Sequence, residues 1–296
     1  MALQNADDDC FHTPLTPPTT EEDIAVWLRL IRSRRVGPAT FWRLIREYVS
    51  AERALEALPE IARAAGADNY SVCPMGVAVA ELRAGTRAGA KLVRPGDAGF
   101  PPDLGSVDAC PPLLWVMGDP DTAQRPAIAI VGARSASSLG MRMARRLAQD
   151  LGAEGYVIIS GLARGIDAAA HEAALVTGTI AVQAGGINVI YPQENTELAV
   201  NIGRTGLRIS EMPVGAAPQA RHFPQRNRLI AGACQAVVVV EAATGSGTLI
   251  TARDALDLGR DVLAVPGHPV DPRAAGCNQL IRDGATLVRS AADILE

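Results

Sequence analysis

Between residues 127 and 266 the chain alternates short apolar runs with segments of helical spacing, and this alternation limits the fold more than any other feature. The apolar runs occupy 127–131, 156–160, 179–184, 207–210, 236–241 and 261–266. Helical segments lie between them, near 138–151, 165–176, 195–204, 226–233 and 248–258. Strands that alternate with helices form a doubly wound, mostly parallel sheet. We therefore predict an α/β fold, with residues 113–117 as an edge strand.

The residues before the predicted sheet divide into a polar tail and a helical region. Residues 1–20 are polar and rich in Pro and Thr, which predicts disorder. From residue 21 apolar side chains recur at helical spacing, and a second helix follows a turn at Gly37. This layout is typical both of helix-hairpin-helix modules, whose turn amides can hold a DNA phosphate, and of small helical packing domains. We predict a small all-helical domain over 21–88 and an α/β domain over 89–296.

Composition and charge narrow the functional classes. No window approaches about 18 consecutive apolar residues, so no membrane span is predicted. The N-terminus carries three aspartates where a signal peptide needs positive charge and an apolar core, which predicts a cytoplasmic protein. The five cysteines are widely spaced and contain no C-x-x-C pair, which argues against a disulfide framework and a zinc site. Because the net charge is -4, any site for a polyanion must be local.

Three of the predicted strands end in loops of small residues that lead into a helix. These loops are 131–135, 160–165 and 245–248. Small residues let the backbone approach a ligand closely, and the N-terminal amides of a helix favour an anion. Since parallel strands end at the same edge of a sheet, we predict that the three loops lie side by side and hold successive phosphates.

Cofactor and catalytic motifs are incomplete in these loops. A dinucleotide turn requires glycine where Arg134 stands, and Lys91, the only lysine, does not lie in a Walker loop. Asp167 and His171 share one face of a predicted helix without a nucleophilic serine turn, which favours a structural role. Glu241 ends a strand in the predicted cleft and is open to acid–base work or to pairing with arginines. We predict no cofactor, no metal and no catalytic residue.

The segment 221–232, RHFPQRNRLIAG, concentrates positive charge in an acidic chain. Three arginines lie within eight positions, and Phe223 stands between Arg221 and Arg226 in a predicted loop. Arginine offers paired donors to phosphate, and an aromatic ring offers a face on which a base can stack. The pattern suggests a site for single-stranded nucleic acid. A solvated basic turn, with Phe223 packed onto the sheet, is the alternative.

Six motifs follow one another from residue 131 onward. They are VGAR at 131–134, SGLARGIDAAAH at 160–171, GGINVIYPQEN at 185–195, SEMPVGAAPQARHFPQRNRLIAG at 210–232, VVVVEAATGSGTLITARDALDLGRDVLAVPG at 237–267 and GCNQLIRDGA at 276–285. Together they resemble the DNA-processing protein family DprA, also called Smf, over most of residues 95–290. The helices of 21–88 resemble the sterile-alpha-motif-like domain of that family more loosely.

The resemblance implies a non-enzymatic protein with an extended Rossmann-like domain that binds single-stranded DNA in a pocket. It also implies a homodimer that protects incoming DNA and loads RecA recombinase during natural transformation. Carried over by motif, the expected DNA contacts are Gly132, Arg134, Gly161, Arg164, Phe223, Arg226, Asn227, Arg228, Ser246, Gly247 and Thr248. Arg226 and Arg228 are assigned to phosphates and Phe223 to a base. Ala133 stands where the family commonly has serine, so a hydroxyl contact is lost there.

An enzyme of another class is the alternative function. Rossmann-type nucleoside monophosphate phosphoribohydrolases also use glycine-rich loops and a carboxylate in the cleft. Their PGGxGT loop, with its following glutamate, differs from GSGTLITA at 245–252. A scaffold role through the helical domain is neither supported nor excluded by the sequence.

Overall fold

A computed structural model describes residues 20–107 and 109–296. The predicted disordered tail lies outside the described residues, apart from Thr20, which caps the first helix. The helices are α1 (Glu21–Arg32), α2 (Pro38–Tyr48), α3 (Ala51–Ala64), α4 (Met75–Arg87), α5 (Pro102–Gly105), α6 (Ser138–Ala153), α7 (Ile166–Ala174), α8 (Thr196–Thr205), α9 (His222–Gly232), α10 (Thr248–Asp257), α11 (Ala275–Arg282) and α12 (Ala292–Leu295). The strands are β1 (Lys91–Val93), β2 (Leu114–Gly118), β3 (Ala127–Val131), β4 (Val157–Ser160), β5 (Thr179–Val182), β6 (Leu207–Ser210), β7 (Ala236–Val239), β8 (Asp261–Ala264) and β9 (Thr286–Leu287).

Helices α1 to α4 pack around a small apolar core. A capping box starts α1, because the Thr20 hydroxyl accepts from the Asp23 amide and the Asp23 carboxylate accepts from the Thr20 amide. The rings of Trp27, Phe41 and Trp42 meet edge to face, with centroids 5.1 to 5.7 Å apart. Because isolated helices of this length are marginal in water, packing around the apolar core that these rings share with aliphatic side chains of α3 and α4 is what stabilises them.

The nine strands form one sheet in the order β1-β2-β6-β5-β4-β3-β7-β8-β9. Strands β3 to β9 pair in parallel, whereas β2 pairs antiparallel with both β1 and β6. The predicted doubly wound, mostly parallel sheet preceded by helices is therefore confirmed. The winding reverses at β3, which lies between β4 and β7. A ligand crevice is expected at the carboxyl ends of these three strands.

Both faces of the sheet are covered by helices. All of Ala127–Val131 is buried, with Ala129 in the core on one face and Ile130 in the core on the other. Leu229 of α9 packs on the first face, and Leu147 of α6 packs on the second. Strands that are buried on both faces read as continuous apolar runs, which is why the sequence revealed them.

Two predicted features are corrected by the structure. Strand β2 is not an edge strand, because β1 pairs with its outer side. The helix in the basic segment begins at His222, four residues before its predicted start, so Phe223 lies in the first turn of α9 and not in a loop. Pro224 is compatible with this earlier start, since the first turn of a helix has no need of its missing amide hydrogen.

A buried ion pair anchors the helical domain. Arg32 on α1 donates to the carboxylate of Glu81 on α4 at 2.8 and 3.0 Å, and Trp115 on β2 donates to the same carboxylate at 2.9 Å. Arg32 also donates to the carbonyl of Glu211, just after β6, at 3.1 Å. One carboxylate therefore joins two helices of the helical domain to the sheet.

Candidate nucleic-acid interface

A cleft of about 740 Å³ lies beyond the carboxyl ends of β3, β4 and β7, where the winding reverses. The loops after β3 and β7 form two of its sides, and helix α9 forms a third. The cleft brings together most of the predicted DNA contacts, namely Gly132, Arg134, Phe223, Arg226, Asn227, Ser246, Gly247 and Thr248. Gly161 lies in an adjoining smaller pocket that shares Phe223 and Arg226 with the cleft.

Arg226 is a buried cation at the floor of this cleft. It is only 6% exposed, and its Nε has no hydrogen-bond partner among the described residues. Burial lowers the pKa of Arg226 to about 10, against the opposing attraction of Asp167, so the guanidinium stays charged at neutral pH. Such a group is costly unless an anion joins it. Arg226 is therefore suited to receive a phosphate.

Gly161 makes room for this guanidinium. A Cβ atom on residue 161 would lie 1.2 Å from Nη1 of Arg226. Gly161 thus contributes to the site through the absence of a side chain, and its backbone amide is already bonded to Asp167.

The loop after β4 does not offer the free amides that its sequence predicted. The carboxylate of Asp167 accepts from the amides of Gly161 and Ala163 at 3.1 and 3.3 Å, and His171 Nε2 accepts from the amide of Leu162 at 3.3 Å. Asn195 donates to the carbonyl of Leu162 at 3.0 Å. These buried groups give the loop a fixed shape, which agrees with the structural role predicted for Asp167 and His171.

The N-terminus of α6 is likewise filled by the chain itself. Glu241 accepts from the backbone amide of Ser137 at 2.9 Å and from its hydroxyl, and Ser137 in turn caps α6. The carboxylate therefore occupies the place that an anion would take. Glu241 neither pairs with the arginines of 221–228 nor stands free for acid–base work. The predicted phosphate cradle is therefore wrong for the loop after β4, whereas after β3 Glu241 takes the helix N-terminus and phosphate binding by the loop's own backbone stays a prediction.

The loop after β7 bonds some of its own amides, since the amide of Ser246 donates to the carbonyl of Ala243 at 3.0 Å and that of Thr248 donates to the hydroxyl of Ser246 at 3.3 Å, but its backbone at Gly247 is exposed. A Cβ atom on Gly247 would meet nothing within 4 Å, so the cleft reaches this backbone. The hydroxyl of Thr248 donates to the carbonyl of Gly132 at 3.1 Å and so ties this loop to the loop after β3. The exposed backbone at Gly247 lies at the N-terminus of α10, where the helix dipole favours an anion.

Two side chains, those of Arg134 and Tyr191, lie against the ring of Phe223. The guanidinium of Arg134 lies 5.0 Å from the centroid of this ring, within the range of a cation–π contact. The ring of Tyr191 lies on another side, at a centroid distance of 5.8 Å. Phe223 is partly buried between them, which supports the packing role that the sequence left as one alternative, whereas stacking of a base on Phe223 stays a prediction.

Two predicted contacts, Arg164 and Arg228, line neither the cleft nor the adjoining pocket. Arg164 is exposed and pairs with Glu194. Arg228 pairs with Glu211 and donates to the carbonyl of Ala109 at 2.6 Å. Burial raises the pKa of Glu211, and the charge of Arg228 opposes that rise. Arg228 therefore serves to hold α9 in place, and a phosphate contact from either arginine stays a prediction.

The sequence did not predict two residues of the site, Arg273 in the cleft and Tyr191 in the adjoining pocket. Arg273 lines the cleft from the segment before α11, where it pairs with Asp271 at 3.0 Å. Tyr191 stands beside Phe223. A loop aromatic within the GGINVIYPQEN motif was a usable signal for Tyr191. No nearby sequence motif predicted Arg273, because its position in the cleft depends on how the chain packs back against β7.

Neither a metal centre nor a membrane helix is found in the described part of the chain. Its His, Cys, Asp and Glu side chains form no group of three that would hold a metal ion. None of the described helices is long and apolar enough to cross a membrane.

His171 is expected to make folding stability depend on pH. Burial, with a smaller effect of the Arg226 charge, lowers its pKa from 6.5 to about 3, so the folded protein holds it neutral. The unfolded chain binds a proton below pH 6.5, so stability should be lost as the pH falls from there toward 3. We expect a loss of about 2 kcal/mol by pH 5. Asp167, whose pKa is raised by burial, acts in the opposite sense.

Urea unfolding at a series of pH values measures this effect. His171→Gln should flatten the profile between pH 7 and 5, whereas His268→Gln, at an exposed position, should retain the native profile. If the profile of His171→Gln matched the native one, the neutral assignment would be wrong.

Comparison with known proteins identifies the family. Residues 91–296 match the family model described as DNA recombination-mediator protein A, and residues 21–84 match the DprA-like N-terminal HHH domain. Protein Smf from Synechocystis sp. is 36% identical over 284 residues, which cover 92% of this chain and 71% of that protein.

Two solved structures share the fold. The X-ray structure of DNA processing protein A from Streptococcus pneumoniae aligns with a TM-score of 0.76 at 35% identity, over 94% of this chain and 98% of that one. DNA processing protein A from Helicobacter pylori, solved for its single-stranded DNA binding mode, aligns with a TM-score of 0.63 at 27% identity, over 70% and 94% of the two chains. The chain therefore belongs to the DNA recombination-mediator protein A (DprA) family.

Proposed function

We propose that this protein binds single-stranded DNA in the cleft and acts as a recombination mediator without a catalytic step. In this proposal it protects incoming DNA and loads RecA recombinase during natural transformation, as a cytoplasmic homodimer. Membership of the DNA recombination-mediator protein A family supports the general role. The relative from Helicobacter pylori, studied for its single-stranded DNA binding mode, supports the ligand.

The observation that carries the proposal is the buried, incompletely bonded Arg226. A guanidinium of this kind, next to the open backbone at Gly247, provides two neighbouring attractions for phosphate. The partly exposed Phe223 adds an aromatic ring at the same cleft. Stacking on an aromatic side chain at this site requires an unpaired base, because a duplex hides the faces of its bases. The combination favours single strands over duplexes.

The hydrolase alternative receives no support from the geometry. A hydrolase needs a carboxylate free to act on substrate, and the candidate, Glu241, is bonded to the amide and hydroxyl of Ser137. Asp167 is buried and bonded to the amides of its own loop. We therefore expect no release of base from nucleoside monophosphates.

A gel shift with single- and double-stranded oligonucleotides of one sequence tests the proposal. An assay for release of free base from nucleoside monophosphates is run on the same preparation. Preferential binding of the single strand without base release supports the proposal. Base release, or equal binding of the duplex, would contradict it. Sedimentation of the protein alone and with RecA tests the homodimer and the partner.

Arg226→Ala is expected to weaken binding of an oligo-dT strand by roughly tenfold or more, since hydrogen bonds to charged groups are among the stronger ones. It should also lower the slope of log affinity against log salt by about 0.7, the value for one phosphate contact on a single strand. Fluorescence anisotropy between low and moderate salt measures both quantities. Arg146→Ala, at an exposed position on α6, serves as the control for loss of a positive charge. An unchanged salt slope in folded Arg226→Ala would remove Arg226 from the phosphate site.

A further inference from the structure

A second, smaller pocket adjoins the phosphate cleft on the other side of Phe223. Its walls include Gln183, Tyr191 and Pro218, and it shares Phe223 and Arg226 with the main cleft. The ring of Phe223 and the guanidinium of Arg226 therefore separate two compartments. The smaller pocket holds only about 10 Å³, no more than a water molecule needs, so a base beside a phosphate on Arg226 meets its rim, where Tyr191 lies, and does not enter it.

Tyr191 presents the more open aromatic ring at this boundary. It is 50% exposed, and its ring is tilted by 57° to that of Phe223. Phe223 is partly buried, and Arg134 lies over its ring at 5.0 Å. A base that approaches from solvent thus meets Tyr191 without displacing another side chain, whereas stacking on the covered face of Phe223 requires Arg134 to move.

The backbone beside Tyr191 is fixed before any ligand binds. Pro192, the next residue, is buried. Asn195, four residues on, is buried and donates to the carbonyls of Leu162 and Ala163 at 3.0 and 3.2 Å. These contacts tie the Tyr191 loop to the loop that lies against Arg226. A side chain carried on backbone that is already fixed requires less ordering of the loop on binding, which favours its use as a contact.

We propose that Tyr191 is a base-stacking residue, with Phe223 as the ring that supports it from behind. This inference rests on the proposed function, since it assumes that a single strand enters the cleft. In this arrangement Arg226 receives a phosphate, and the base of the neighbouring nucleotide stacks on Tyr191. Stacking does not depend on base identity, so the platform accepts any sequence.

Two oligonucleotides with the same number of phosphates test the proposal, one of normal thymidines and one with abasic sites throughout. Tyr191→Ala should weaken binding of the thymidine strand by roughly tenfold and should leave the weaker binding of the abasic strand unchanged. Tyr191→Phe, which keeps the ring, should bind the thymidine strand at least several times more tightly than Tyr191→Ala. The salt slope should be the same in all three proteins, because no phosphate contact is lost.

A fluorescent base gives an independent readout. A strand with 2-aminopurine in place of one base should lose fluorescence on binding the native protein and recover most of it with Tyr191→Ala. Equal losses of affinity on the thymidine and abasic strands, or quenching that persists in Tyr191→Ala, would overturn the stacking role. If the native protein bound neither strand, the proposed function itself would fail. The two failures are therefore distinguishable.

Discussion

Gly161→Ala is expected to weaken binding of single-stranded DNA by roughly tenfold or more, although residue 161 has no side chain with which to touch the ligand. The added Cβ atom would lie 1.2 Å from Nη1 of Arg226. The guanidinium must therefore withdraw by roughly 2 Å, because a packed interior has no spare volume to absorb the overlap. Its new position no longer presents the charge to a phosphate at the floor of the cleft. The variant should behave as though Arg226 were absent.

A double-mutant cycle makes this prediction specific. If Gly161→Ala acts only through Arg226, the double variant with Arg226→Ala should bind no more weakly than Arg226→Ala alone. Gly76→Ala, at a position where a Cβ atom meets nothing within 4 Å, controls for a glycine substitution as such. Anisotropy titrations of the native protein, the two single variants and the double variant give the four affinities that the cycle requires. Additive losses in the double variant would mean that residue 161 contacts the DNA by another route.

The fold was predictable because its signals are local. Strands such as Ala127–Val131 are buried on both faces and read as unbroken apolar runs, and their alternation with helices indicates a parallel sheet. The place of β2 was not predictable in this way. Its partners are β1, only three residues long, and β6, about ninety residues further along the chain. Pairing at that separation depends on the whole fold and not on the segment itself.

The part of the candidate site that is formed by the loops after parallel strands could be predicted from the sequence. Parallel strands place their following loops at one edge, so the grouping of Gly132, Arg226 and Thr248 in one cleft could be anticipated. The hydrogen-bond partners of the polar groups around this cleft could not be predicted from the sequence. Glu241 bonds to Ser137, the residue that caps α6, across more than one hundred residues, and no nearby sequence motif predicts this pairing.

Long-range contacts also give Arg226 and Arg228 different roles. The two arginines stand two positions apart on α9, and the sequence offered equal grounds to assign both to phosphates. The helix turns Arg226 toward Gly161 and the cleft, whereas Arg228 meets Glu211 and the carbonyl of Ala109. Residues two apart on a helix point in different directions, and only the tertiary structure gives each direction a partner.

Glu211 links the site helix to the helical domain. Its carboxylate pairs with Arg228 on α9, and its carbonyl accepts from Arg32 on α1 at 3.1 Å. Arg32 is in turn held by the buried carboxylate of Glu81. A continuous set of polar contacts therefore runs from the helical domain to the helix that carries Arg226. The stability of the helical domain is therefore expected to depend on the Glu81 carboxylate, which holds Arg32 in place.

Glu81→Ala is expected to destabilise the helical domain by about 3 kcal/mol or more, because it leaves one partner of a buried ion pair uncompensated. The carboxylate accepts two hydrogen bonds from Arg32 and one from Trp115, and all three donors would lose their acceptor. The three tryptophans of the chain, Trp27, Trp42 and Trp115, all lie in the helical domain or on the strand that contacts it. Urea unfolding followed by tryptophan fluorescence therefore reports on this unit.

Two further variants separate loss of the ion pair from loss of any glutamate. Glu56→Ala, at an exposed position on α3, should change the free energy of unfolding by no more than about 0.5 kcal/mol. Glu81→Gln keeps an acceptor oxygen for Trp115 but removes the charge that compensates Arg32, so its loss should lie between those of the two alanine variants. Equal stabilities for Glu81→Ala and Glu56→Ala would mean that Arg32 finds solvent or another acceptor when the carboxylate is removed. The helical domain would then be held to the sheet without this ion pair, by contacts such as Leu113 packed among the helices and the bond from Arg32 to the carbonyl of Glu211.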